Sequence, residues 1–205
     1  MKKIISFLIL ALGAFSVYWF LLRTKEITPK APKMQPIALK KHSDSFNLSI
    51  TNLMDAYLGI KESFVSADTG NAKRYTGIFI SLLDSISVKE LEKDDAMIAQ
   101  TAIANIADIK ANAVSLLQQR DITQMRVDFR TLSDMMYPGF FKIINYEGPT
   151  LYLQNCPMAF DGDKDANWIS NSNKVVNPYL GNNHPKYKAT MINCGEVKDS
   201  IGIGF

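Results

Sequence analysis

Histidine and cysteine are nearly absent from this chain, with two of each in 205 residues. The histidines, His42 and His184, lie far apart, and residues 43–145 contain neither residue type. That scarcity excludes most nucleophilic catalysis. A cysteine nucleophile needs an imidazole or comparable base within hydrogen-bond reach, and only His184 could serve. Redox enzymes of the thiol–disulfide class space their cysteines as Cys-X-X-Cys, whereas Cys156 and Cys194 are 38 positions apart. The chain is therefore expected not to be an enzyme.

Basic charge is scarce where it would matter for nucleic acid. Of 23 Lys and Arg, 15 follow Lys41, against 19 of the 20 Asp and Glu, so the part able to fold carries about −4. A nucleic-acid binder concentrates positive charge on its folded surface, and that class is set aside.

One long uncharged run is present. Ile4 to Leu22, behind Met1-Lys2-Lys3, is mostly apolar, close to the ~20 residues a helix needs to span a bilayer. It exceeds the apolar core of a cleaved export signal, and a weak small-x-small site, Ala14-Phe15-Ser16, lies inside the run. Residues 1–23 are therefore expected to be an uncleaved signal-anchor, a transmembrane helix that ties the chain to the membrane. The N-terminus is placed inside and the rest at the periplasmic, extracytoplasmic face of the inner membrane; cleavage would export it instead. Residues 24–42, with Pro29, Pro32 and Pro36 among lysines, read as an extended linker. His42, at its end, reads as surface.

From Ser43 the pattern has helical period. Phe46, Ile50, Leu53, Met54, Tyr57 and Phe64 form one apolar face, interrupted only by Lys61, with Asp44 or Ser45 as cap. Asp68-Thr69-Gly70 breaks the run. Tyr75, Ile78, Phe79, Leu82, Leu83 and Ile86 form a second face, and Asp94-Asp95 open a third with Ile98, Ala102, Ile106, Ile109, Ala113 and Leu117. Asp121 caps a fourth, carrying Ile122, Met125, Phe129, Leu132, Met136 and Phe140, and Pro138 should end or kink it near Tyr137. Four amphipathic segments with short connections predict a mainly α fold, an antiparallel four-helix bundle over residues 43–146. A small irregular, partly β C-terminal segment, residues 147–205, follows and packs on the bundle.

That segment holds both cysteines. Thr150 to Asn155 alternates like a short strand, and turns are expected at Asp161-Gly162-Asp163, Asn171-Ser172-Asn173 and Gly181-Asn182-Asn183. The run Asp161, Asp163, Asp165 lacks the glycine and glutamate of a calcium loop, with Ala166 and Ser172 in their places. Cys156-Pro157-Met158 and Met191-Ile192-Asn193-Cys194 present the same donors in mirrored order. Two thiolates and two thioethers would suit monovalent copper or another thiophilic metal. Two cysteines in an oxidising compartment equally make a disulfide, and both readings stay open on the residues alone.

Asn155-Cys156-Pro157-Met158-Ala159-Phe160, Trp168-Ile169-Ser170, Asn177-Pro178-Tyr179-Leu180-Gly181 and Met191-Ile192-Asn193-Cys194-Gly195-Glu196-Val197 together resemble a bacterial exported domain of unknown function. That family occurs alone behind a signal segment or fused to the adaptor subunits of heavy-metal efflux pumps. The likeness extends into the helices through Ile122 to Arg126, Phe129 and Leu132-Ser133, and covers roughly residues 45–200. It implies a heavy-metal role outside the cytoplasm, with Cys156, Met158, Met191 and Cys194 as ligands and efflux components as partners. Asn155 and Leu180 stand where the family has aromatics, and residues 182–189 resemble an insertion that brings His184 as a further candidate ligand. The expected function is a membrane-tethered periplasmic copper-binding protein in metal homeostasis or efflux. The alternative is an envelope adaptor stabilised by a Cys156–Cys194 disulfide, with no metal.

Overall fold

Four short polar side chains start the long helices. The Ser43 hydroxyl accepts the Phe46 N–H at 3.3 Å, and Asp68, Asp95 and Asp121 accept N–H groups of Asn71, Met97 and Thr123 at 2.9, 2.7 and 2.9 Å. Each such cap stabilises its helix by about 1 kcal/mol. They open α1 (Asp44–Val65), α2 (Thr69–Ser85), α3 (Ala96–Gln118) and α4 (Ile122–Asp134). A short 3₁₀ turn, Val88–Lys93, links α2 to α3. The computed structural model describes residue 37, residues 41–160 and residues 164–202. The expected anchor over residues 1–23, the linker except for residues 37, 41 and 42, and the turn expected at residues 161–163 lie outside the described residues. No helix among the described residues is long and apolar enough to cross a membrane.

Helix α4 does not end the helical part. An irregular π-type turn, Met135–Phe140, follows it, broken where Tyr137 takes extended dihedrals (φ −117°, ψ 127°) before Pro138, and the peptide between them is cis. A fifth short helix, α5 (Phe141–Ile143), comes next. Ile37 donates its N–H to the Lys142 carbonyl at 2.9 Å. His42 stacks on Phe46 with ring centroids 4.5 Å apart, and its N–H bonds Glu147. His42 is thus half-buried and tied down, not a bare surface residue.

The tail forms a three-stranded antiparallel sheet in the order β2-β1-β3: β1 Leu151–Phe160, β2 Lys164–Ser170 and β3 Glu196–Ile201. Leu153 faces Ile169 and Cys156 faces Ala166 across β1 and β2, with a bulge between Cys156 and Phe160. On the other side Asn155 faces Glu196.

The expected four-helix bundle is not what forms. Five α-helices are present among the described residues, joined to the sheet by a single core. Consecutive helices pack on each other from α1 to α4, and β2 then lies against α4 and α1. The seam is aromatic. Phe129 of α4 meets Tyr57 and Phe64 of α1 at 5.1 and 5.2 Å, and Tyr179 touches Phe129, Phe160 and Trp168 at 5.3–6.0 Å. Trp168 and Tyr179 are fully buried, and each such side chain contributes a few kcal/mol of apolar burial. The faces of α1 and α4 are therefore roofed by the sheet and its loop. The C-terminal segment is one wall of the core.

Two of these tyrosines also cover the free margin of β2. Tyr57 accepts the Ile169 N–H at 3.0 Å, and the Tyr179 hydroxyl donates to the Asn167 carbonyl. Unpaired main-chain groups on an edge strand recruit other chains unless they are covered.

Candidate functional site

Cys156 lies on the central strand β1, fully buried, and Cys194 in the turn leading to β3; the two form a disulfide with Cα atoms 5.7 Å apart. Three features hold Cys194 in place. Its N–H donates to the Met191 carbonyl at 2.9 Å, closing a tight turn. Its carbonyl accepts the side-chain amide of Asn177 at 2.9 Å. Next to it Gly195 has φ +136°, and a Cβ there would lie 2.7 Å from the Asn155 carbonyl oxygen. Only glycine lets the chain run this close to β1 at that backbone angle.

Asn177 is the residue that sequence reasoning left without a role. It is wholly buried, and its side-chain oxygen accepts the N–H groups of Tyr179 and Leu180 at 2.8 and 3.0 Å while its amide reaches Cys194. Its own N–H donates to the Ile192 carbonyl at 2.7 Å. One side chain thereby fixes both the Asn-Pro-Tyr turn and the segment carrying Cys194. An asparagine before a proline marks a turn in sequence, but not a clamp on a distant cysteine.

The other candidate ligands sort differently. Met158 lies within the irregular stretch of β1 between Cys156 and Phe160, 47% exposed, and lines a cleft of about 340 Å³ together with His184. The His184 Nδ1 accepts the N–H groups of Lys186 and Tyr187 at 3.2 Å each, and its ring stacks on Tyr187. Met191 is half-buried against the core and lines no part of this cleft. The structure therefore joins Cys156 to Cys194 and sets Met158 with His184, as two separate pairs. In the disulfide neither cysteine offers a thiolate, so the set does not supply the two thiolates a four-sulfur copper site would use. Among the described residues no three His, Cys, Asp or Glu side chains converge as metal ligands.

The remaining feature of the cleft is Arg126, on the first turns of α4. It is 5% exposed, donating from Nε to the Pro178 carbonyl at 3.0 Å and from Nη2 to the Phe64 carbonyl at 2.9 Å. Burial lowers its pKa to about 10, partly offset by Asp121, so it remains cationic at neutral pH.

Fold and site together define a mainly helical domain completed by a small disulfide-closed sheet. Residues 53–144, from α1 through α5, match the model of a family described as "Protein of unknown function (DUF3347)". The matched stretch ends before β1, so both cysteines lie beyond it. No curated protein and no solved structure matches the chain.

Proposed function

We propose that the chain is a disulfide-stabilised interaction domain, an adaptor held at the extracytoplasmic face of the inner membrane by its N-terminal segment and presented to another envelope protein. The observation that carries this reading is the Cys156–Cys194 bond itself, which uses every cysteine of the chain. Such a bond persists in oxidising compartments and is rare in the cytosol. The test is alkylation of full-length protein isolated without reductant. The adaptor reading expects no thiol to react until reduction, and then two. Two freely reacting thiols in the isolated protein overturn it.

A second reading is a heavy-metal-binding protein for monovalent copper in homeostasis or efflux, with efflux components as partners. It is favoured by the pairing of Met158 with His184 on one cleft and by Met191 closing a turn on Cys194. It requires reduction: thiol–disulfide exchange would return two thiols, and soft donors of that kind hold monovalent copper. Reduced full-length protein should then take up about one equivalent of monovalent copper and the oxidised protein none. Equal uptake by a Cys156→Ser/Cys194→Ser protein removes the cysteines from that site.

A further inference from the structure

The cleft beside α4 combines a buried cation that no carboxylate contacts, among the described residues, with apolar walls. No carboxylate lies within ion-pair distance of Arg126 among the described residues; its two partners are neutral carbonyls. A guanidinium has five N–H groups, and these two bonds leave three of them without a protein partner among the described residues. Asp121, the acidic group acting on Arg126, is already committed, its Oδ1 accepting the N–H groups of Thr123 and Gln124 at 2.9 and 3.1 Å. A buried charge facing only neutral acceptors is costly unless an anion completes it.

The surroundings favour one kind of anion. Ile122, Phe160 and Leu180 wall the cleft, and Met158, which is partly exposed, lines it with His184, Lys186 and Arg126. No Asp or Glu is among its lining residues in the described part of the chain. The cavity, about 340 Å³, falls within the ~300–1,000 Å³ typical of small-ligand sites. The planar guanidinium fork matches a carboxylate, which it can bind through two parallel bonds.

We infer that this cleft binds a carboxylate carried on an apolar body, either a small organic acid or the C-terminus of a polypeptide with an apolar last residue. The inference deepens the adaptor reading, on which it rests for the class of partner. Two pairs of probes test it on oxidised full-length protein in detergent micelles: 3-phenylpropanoate against 3-phenylpropanamide, and an N-acetylated tripeptide ending in Leu-Phe against its C-terminal amide. Each acid that binds should do so at least about tenfold more tightly than its amide, as a charge-assisted bond implies. Binding of both acids identifies a free acid as sufficient; binding of the tripeptide acid alone identifies a polypeptide C-terminus. Met158→Trp, at an exposed position, should close the cleft and weaken acid binding about tenfold or more with the melting temperature unchanged. Arg126→Gln should abolish the preference for acid over amide; Met158→Trp decides the matter if that variant does not fold. Equal binding of acid and amide, no binding of any probe at millimolar concentration, or unaltered binding by Met158→Trp overturns the inference. Those results with the disulfide intact leave the adaptor reading standing, whereas free thiols alongside acid selectivity do the reverse.

Discussion

The hydroxyl of Tyr57, in the first long helix, accepts the backbone N–H of Ile169, in the second strand, at 3.0 Å. The same hydroxyl lies 2.6 Å from Ser133 Oγ, which in turn donates to the Phe129 carbonyl at 2.8 Å. Helices α1 and α4 and the sheet thus meet at one buried oxygen. Tyr57→Phe keeps the ring and strands the Ile169 N–H in an apolar surrounding, which costs about 1–3 kcal/mol. Urea denaturation of the variant should show a lower midpoint with an unchanged slope.

Opening the disulfide releases a loop spanning 38 positions. The chain-entropy estimate for a loop of that size is about 4 kcal/mol. Cys156→Ala/Cys194→Ala should therefore be destabilised by that order, and reductant should lower the melting temperature of the native protein but not of the double variant. An unchanged melting temperature on reduction would show that the sheet is held by other means.

Gly195→Ala should be costly without removing any contact. The added Cβ would meet the Asn155 carbonyl oxygen at 2.7 Å and the Trp168 ring at 2.9 Å, at a φ of +136°. Backbone strain of this kind costs about 1–3 kcal/mol, before the clash with β1 is counted. A chemical-denaturation midpoint equal to that of the native chain would contradict the described path from Cys194 into β3.

Four tyrosines link stability to alkaline pH. Burial raises the pKa of Tyr146 to about 12 from the ordinary value of 10.0, and raises those of Tyr57, Tyr137 and Tyr179 as well. The folded chain keeps these protons where the unfolded chain releases them. Their contribution is complete below pH 10 and is lost as pH rises from 10 through the folded values. Unfolding free energy should fall steadily above pH 10, and phenolate absorbance from these four should appear with unfolding, not before it.

Helix starts were the most legible part of this sequence. Asp121 caps its helix as expected, and Asp68 and Asp95, read only as marking helix starts, are the caps there, while the first helix is capped by Ser43 and not by Asp44 or Ser45. The apolar face of α1 is buried as the period indicates, and Lys61 on it is 3% exposed, its Nζ 2.7 Å from Glu62. What the period cannot say is which surface covers a face. Four amphipathic runs imply one another as partners, yet Phe129 and Tyr57 are roofed by Tyr179 and strand β2.

The sheet was legible only at its centre. The alternation at Leu151 to Asn155 marks β1, but β3 is Glu196-Val197-Lys198-Asp199-Ser200-Ile201, whose charges give no strand pattern. At the site, both cysteines were readable as a pair and their state was not. Strict alternation would put Met158 on the same buried face as Cys156; in the irregular stretch between Cys156 and Phe160 it is instead exposed, on the cleft that His184 also lines. The Asn177 amide and the Arg126 guanidinium donate to backbone carbonyls of Cys194, Pro178 and Phe64 far along the chain, and no short-range pattern encodes such bonds.

The sheet's two margins are closed by different physics. Tyrosine hydroxyls occupy one, whereas the other, along β3, presents the exposed pair Glu196 and Lys198, which bond each other. A loss of either tyrosine therefore does more than loosen the core. It leaves one main-chain group of β2 without its partner, so the same two phenols serve the strand's edge and the packing beneath it.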